Sequence, residues 1–137
     1  MPFVVDASVA ASWIMPDERH ATAERAFARI ARDPIVAPCL WWFELRNVLI
    51  VNERRGRMDP AQSAKALRLL AALPVTIDTE VDEDALMQLA RRRRLTVYDA
   101  AYLELALRKR YPLATLDVAL ANAARAEEAP LIGEGGA

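Results

Sequence analysis

At 137 residues, with 54% apolar and 27% charged side chains, the chain has the balance of one soluble globular domain spanning residues 1–137. A net charge of −1 excludes recognition of nucleic acid by overall charge, so any RNA contact has to come from local patches. The single cysteine, Cys39, excludes an internal disulfide and fits a reducing, cytoplasmic setting.

The opening apolar run has no basic flank, and Asp6 interrupts it early. Neither a signal peptide nor a membrane span is expected there. Phe3 to Asp6 reads as a short buried strand, and Ala7 to Met15 as a helix with Val9 and Trp13 stacked one turn apart. A second helix is expected from about Ala21 to Ala31, stopped by Asp33-Pro34. Ile35-Val36-Ala37 is the second candidate strand. A long helix follows from about Leu40 to Arg55, with Gly56 as its stop.

Asp59-Pro60 is a start signal, an acid at the N-cap and a proline at the first helical position. That helix should run to about Leu73. Pro74 to Ile77 is the third candidate strand, and Asp82-Glu83-Asp84 opens a helix ending near Arg91–Arg94. Thr96-Val97-Tyr98 reads as a connection, Asp99 to Arg110 as a helix, and Leu113-Ala114-Thr115 as the fourth strand. Asp117 to Ala126 is the last helix, Pro130-Leu131-Ile132 a possible final strand, and Gly133 to Ala137 a fraying tail. Strands alternating with helices imply a mainly parallel sheet of four to five strands, covered on both faces.

Four acids stand out. Asp6, Asp99 and Asp117 each precede or open a helix, so each also reads as an N-cap, as do Asp17, Asp59 and Asp82. Glu44 differs, because it lies inside a helix beside Trp41, Leu45 and Val48. A carboxylate on that apolar stripe is costly unless it reaches water, pairs with a cation such as Arg46, or binds a metal. If the first and fourth strands are parallel neighbours, Asp6 and Asp117 emerge at one sheet edge, with Asp99 able to join them. Clustered carboxylates repel one another, and a hard cation such as Mg²⁺ or Mn²⁺ removes that penalty. Such a metal can activate water for phosphodiester hydrolysis. His20, the only histidine, reads as a surface residue, and Cys39 as a small buried one. The hydroxyls of Ser8 and Thr115 can each serve a site carboxylate or a local backbone group.

Val5-Asp6-Ala7-Ser8-Val9, Trp42 to Leu49, Tyr98 to Ala106 and Ala114-Thr115-Leu116-Asp117, in that order and spacing, resemble the PIN-domain nucleases, and more narrowly the VapC toxins of bacterial toxin–antitoxin pairs. The resemblance covers nearly the whole chain. It implies a three-layer α/β/α sandwich and a Mg²⁺- or Mn²⁺-dependent endoribonuclease. It also implies a homodimer and an inhibitory VapB-type antitoxin with which a hetero-oligomer forms. By motif position the catalytic acids are Asp6, Glu44, Asp99 and Asp117. Asp6, Asp99 and Asp117 would be metal ligands, and Glu44 would act directly or through water. Ser8, Asn47 and Thr115 take supporting roles. Some family members carry a further acid after the last one; here Val118, Ala119 and Leu120 follow instead.

Arg91, Arg92, Arg93 and Arg94 form a run that reads either as a solvated helix end or as an RNA contact beside Asp99. Arg54, Arg55 and Arg57 form a second basic cluster. Adjacent Trp41 and Trp42 cannot both face the core, so one is available to a partner. Three rival readings remain. A haloacid-dehalogenase-type phosphatase would need an acid where Ser8 stands, and a receiver-type domain would need a lysine that neither Lys65 nor Lys109 supplies. A PIN-like protein that has lost strong catalysis would act by partner binding alone.

Overall fold

The computed structural model describes residues 1–133; the tail expected to fray lies, beyond Gly133, outside the described residues. The chain order is β1 (Phe3–Val5), α1 (Ala7–Ile14), α2 (Ala21–Arg29), β2 (Ile35–Pro38), α3 (Leu40–Arg54) and α4 (Pro60–Ala71). There follow β3 (Val75–Asp78), α5 (Glu83–Arg93), α6 (Val97–Lys109), β4 (Leu113–Ala114) and α7 (Val118–Ala126).

The four strands form one sheet in the order β3-β2-β1-β4, every neighbouring pair parallel. Side chains alternate across a strand, yet Phe3, Val4 and Val5 are all fully buried. Both faces of β1 are therefore covered by helices, which makes the architecture a three-layer α/β/α sandwich. Residues Pro130–Ile132 lie along the outer edge of β4: Leu113 donates to Pro130 and accepts from Ile132, so the expected last strand is reduced to a bridge at Leu131. Among the described residues no helix is long and apolar enough to cross a membrane.

The strand order decides where a ligand can reach the sheet. From β1 the chain moves to β2 and β3 on one side, and later returns to place β4 on the other. Between β1 and β4 the order reverses, and open α/β sheets bind ligands outside the strand C-termini at such a point. Asp6 leaves the C-terminal end of β1, and Thr115-Leu116-Asp117 leaves that of β4.

Three local expectations need correction. Helix α6 starts at Val97, and its N-cap is Thr96, whose hydroxyl accepts from the amide of Asp99. The stretch read as a connection is thus the helix's first turn, because Thr followed three residues later by an acid is itself a start signal. Asp17 caps nothing; it lies in the turn after α1, and exposed His20 stands at the N-cap of α2 without a side-chain capping bond. Cys39 is exposed rather than buried, since it occupies the turn from β2 into α3. The Asp59 and Asp82 caps form as expected, the first as a full capping box with Gln62.

Candidate metal and phosphodiester site

Asp6 is the most enclosed of the four acids, with 4% of its surface exposed. One oxygen, Oδ1, accepts from the Val9 amide at 3.0 Å, which caps α1, and from the Ser8 hydroxyl at 2.6 Å. The other, Oδ2, accepts from the Thr115 hydroxyl. These hydroxyls each do two jobs. Ser8 Oγ accepts from the Leu116 amide, and Thr115 Oγ1 from that of Asp117. The Asp6 amide also donates to the Ala114 carbonyl at 3.1 Å. The two readings of these hydroxyls hold together, because each stitches the turn after β1 to the turn after β4 while it orients Asp6.

Burial pushes the Asp6 carboxyl above its usual range. The hydroxyls of Ser8 and Thr115 and the Val9 amide pull it partly back, and the charge of Asp117 raises it further. Asp117 is the N-cap of α7, accepting from the Leu120 amide at 3.0 Å. Asp6 and Asp117 are therefore caps, and at the ends of β1 and β4 their position leaves the second interpretation open to each. Asp99 is not a cap. As the third residue of α6 it is half-buried, and burial and the nearby Asp117 raise its carboxyl.

Glu44 lies on α3 beside buried Trp41 and Leu45. It does not pair with Arg46, whose guanidinium stacks 3.9 Å from the Trp42 ring and donates to the Trp42 carbonyl. Its partner is instead the Tyr102 hydroxyl, which donates to Oε1 at 2.5 Å. Burial raises the Glu44 carboxyl, the Tyr102 bond lowers it, and the charges of Asp6 and Asp99 raise it again. Mutual repulsion thus links Asp6 to Asp117 and Glu44, and Asp99 to Asp117 and Glu44. The sequence-predicted quartet forms one electrostatic unit.

Tyr102 had no role assigned from sequence. It appears there only inside the stretch Tyr98 to Ala106, and its ring is fully buried. The available signal was its place three residues after Asp99, on the same helix face.

The donor set is all oxygen, and no ion pair forms to any of the four acids among the described residues. Among the described residues, no three His, Cys, Asp or Glu side chains come together as a group that could hold a metal ion. A spread of carboxylates without a cation fits Mg²⁺ or Mn²⁺, which keep several waters, and does not fit dehydrated, nitrogen- or sulfur-bound zinc.

The supporting residues fare unequally. Asn47 is exposed and makes no hydrogen bond to the carboxylates. In the arginine run, Arg92 and Arg93 both donate to Glu127, at 2.9 and 2.6 Å. Glu127 closes the end of α7 opposite Asp117, so these two arginines brace a helix end. Arg91 and Arg94 remain exposed; Arg94 ends α5 in the left-handed conformation, five residues before Asp99. Of the two tryptophans, Trp41 is buried and Trp42 nearly half exposed.

The PIN domain family profile matches residues 3–126. The chain is 37% identical over 126 residues to Ribonuclease VapC3 of Pyrobaculum aerophilum, covering 89% of this chain and 94% of that protein. The crystal structure of PAE2754 from the same organism superposes with a TM-score of 0.66 at 27% identity, covering 90% of this chain and 87% of the other. Mycobacterium tuberculosis VapC20, described as a Sarcin-Ricin loop cleaving toxin, shares the fold with a TM-score of 0.61 at 21% identity, covering 88% and 94% of the two chains. The acids gathered at the β1/β4 switch and the match across nearly all of the sequence lead to one assignment: the chain belongs to the PIN-domain family.

Proposed function

We propose that this chain is an endoribonuclease of the VapC type, dependent on Mg²⁺ or Mn²⁺, and that it acts as the toxin of a toxin–antitoxin pair. The observation that carries the reading is the set Asp6, Glu44, Asp99 and Asp117, brought to one sheet edge with no cationic partner among the described residues. A fold does not pay for several repelling, partly buried carboxylates unless something offsets them.

Asp6, Asp99 and Asp117 would hold the metal, with Glu44 as a direct or water-mediated partner. Bound there, the metal would supply a water more acidic than bulk water and a counter-charge for the phosphate. Ser8 and Thr115 keep both Asp6 oxygens oriented, so the carboxylate meets substrate without reorganising. Glu44, with its raised proton affinity, is suited to accept a proton from an attacking water.

Arg91 and Arg94 are the members of the run available to a phosphate backbone approaching Asp99. The relatives named VapC also suggest an antitoxin partner, and exposed Trp42 and Phe43 beside Glu44 offer apolar surface for a second chain. A homodimer is part of this reading. The test is cleavage of a structured RNA pool by purified, antitoxin-free protein with Mg²⁺ or Mn²⁺, and with EDTA. Metal-dependent cleavage that disappears in Asp6→Asn supports the reading. No cleavage by the antitoxin-free protein under either metal, with antitoxin binding retained in a separate assay, would leave a PIN-like protein that works by partner binding.

A further inference from the structure

The charge of the chain is unevenly spread. Between Leu45 and Leu73 stand six cations, Arg46, Arg54, Arg55, Arg57, Lys65 and Arg68, against two acids, a local charge of +4 in a chain of −1. Both acids are engaged by neutral donors. Glu53 accepts from the Ser63 hydroxyl at 2.6 Å, and Asp59 from the Gln62 amide at 2.8 Å. Among the described residues no cation of this stretch forms an ion pair, whereas Arg29, Arg92, Arg93 and Arg108 all do. Like charges gathered without partners repel one another, so the fold gains nothing from them.

Helix α3 joins this basic stretch to the acid edge. Phe43, Asn47, Ile50 and Arg54 follow at helical spacing along its outward face, all four exposed, and no exposed position of the helix is an acid. At ~1.5 Å of rise per residue, Arg54 stands about 17 Å from Phe43. The other end of the face is aromatic. Phe43, next to Glu44, is 67% exposed, and the Trp42 ring meets it edge-on with centroids 5.0 Å apart. The Arg46 guanidinium stacks 3.9 Å from the Trp42 ring, so Trp42 is braced from one side and leans on Phe43 from another.

We infer that this face of α3 is an RNA track: a base stacks on Phe43 beside the acid edge, and the phosphates beyond it run toward Arg54, Arg55 and Arg57. The inference rests on the ribonuclease reading above. Cations that lead to an exposed ring are how a single strand is held, with charge supplying affinity and stacking accepting any base. An acidic site needs such a surface at its side, since its own charge repels a phosphate backbone. The rings alone would suit RNA or a second protein chain; the unpaired cations on the same helix complement a polyanion.

Fluorescence anisotropy of a labelled RNA hairpin with an unpaired loop, in EDTA, reads binding by the full chain apart from cleavage. Arg54→Gln/Arg55→Gln should weaken binding about tenfold at low salt. It should also reduce the slope of log affinity against log salt by about one to two, the loss of two phosphate contacts. Arg32→Gln/Arg110→Gln removes the same charge ahead of β2 and β4 and should leave both quantities nearly unchanged. Phe43→Leu should weaken binding about tenfold at an unchanged salt slope, and Phe43→Tyr should restore it, because a ring stacks where an aliphatic side chain does not. Equal loss in the two double variants overturns the inference. RNA binding unaltered by Arg54→Gln/Arg55→Gln or by Phe43→Leu also overturns it, and gives the face to a protein partner. Cleavage by wild type without measurable binding in EDTA overturns it too, since the track holds no metal. Wild-type protein that neither binds this RNA nor cleaves RNA with Mg²⁺ or Mn²⁺ would defeat the ribonuclease reading itself, and this inference with it.

Discussion

On the flank of α6 toward β3 and α5, acids and arginines are matched. Arg108 donates to Asp78 at 2.8 Å and to Glu104 at 2.7 Å, and Arg92 and Arg93 converge on Glu127. Hydrogen bonds from those guanidiniums hold Asp78 and Glu127 below the usual carboxylate range. At the β1/β4 switch the same residue types live under the opposite rule. Asp6 and Glu44 have neutral donors, Asp99 has no side-chain hydrogen bond among the described residues, and all three are pushed up by burial first and by neighbouring acids after it. Burial alone does not separate the regions, for Glu104 is as enclosed as Asp6. The partner does. On one side the chain supplies a guanidinium to its carboxylates, and on the other no ion pair forms to them among the described residues.

The largest way to break the contrast is to remove a site charge. If the edge acids hold a catalytic metal, Asp6→Asn or Asp99→Asn should lower RNA cleavage by about 1,000-fold, the equivalent of several kcal/mol of transition-state stabilisation. Single-turnover cleavage at saturating Mg²⁺ measures it, and a loss below tenfold in either variant would separate that acid from the chemistry.

Next in size is the matched region. Arg108→Met leaves buried Glu104 and Asp78 without their shared donor, and should destabilise the fold by about 2–3 kcal/mol. Urea unfolding monitored by Trp fluorescence reads this. An unchanged midpoint would mean that water reaches both acids and the pairing is only superficial.

The sequence carried the quartet further than it carried the partners. Alternating strands and helices led to the layered sheet, and the apolar run Phe3–Val5 ending in Asp6 marked the strand at its centre. Glu44 was legible because an acid on an apolar stripe has few inexpensive explanations. What remained hidden was long-range pairing. Nothing local tells that Arg92 and Arg93 meet Glu127, 35 and 34 residues away, and so the run read as a candidate for RNA. Tyr102 and Glu44 are 58 residues apart and stayed unconnected for the same reason. The start of α6 was a local miss: β-branched Thr96 and Val97 resemble connection residues until the Thr96 cap on the Asp99 amide is seen.

A smaller effect runs against intuition. In metal-free protein Asp99→Asn should stabilise, because it removes a repelled charge without removing a cap. Asp99 is half-exposed and screened by solvent, so the gain is modest, about 1–3 °C in Tm. Asp6→Asn is a poorer probe, since Asp6 also caps α1 and holds Ser8 and Thr115. Added Mg²⁺ should raise the wild-type Tm and leave Asp99→Asn nearly unmoved. A variant that loses stability without metal would return Asp99 to a structural role.

The finest test sets the two regions against each other by pH. The edge acids have folded values raised above the ordinary 3.8 for Asp6 and Asp99 and 4.5 for Glu44. Between the ordinary and the raised value the folded chain binds more protons than the unfolded one, so metal-free stability falls as pH rises through that window. Asp78 and Glu127 are lowered, so they contribute stability that is full above their ordinary values and is lost as pH falls through the folded ones. The advantage of Asp99→Asn over wild type should therefore be near zero below the ordinary value of 3.8, grow as pH rises through the raised folded value and stay level above it, with EDTA present. The deficit of Arg108→Met should be fully developed by neutral pH and shrink only on the acid side. Urea unfolding of both variants and wild type across that range gives the two difference curves. Opposite dependence is what a cation-paired and an unpaired, mutually repelling set of carboxylates require; parallel curves would mean that the chain treats the two sets alike and that Asp99 is not under repulsion.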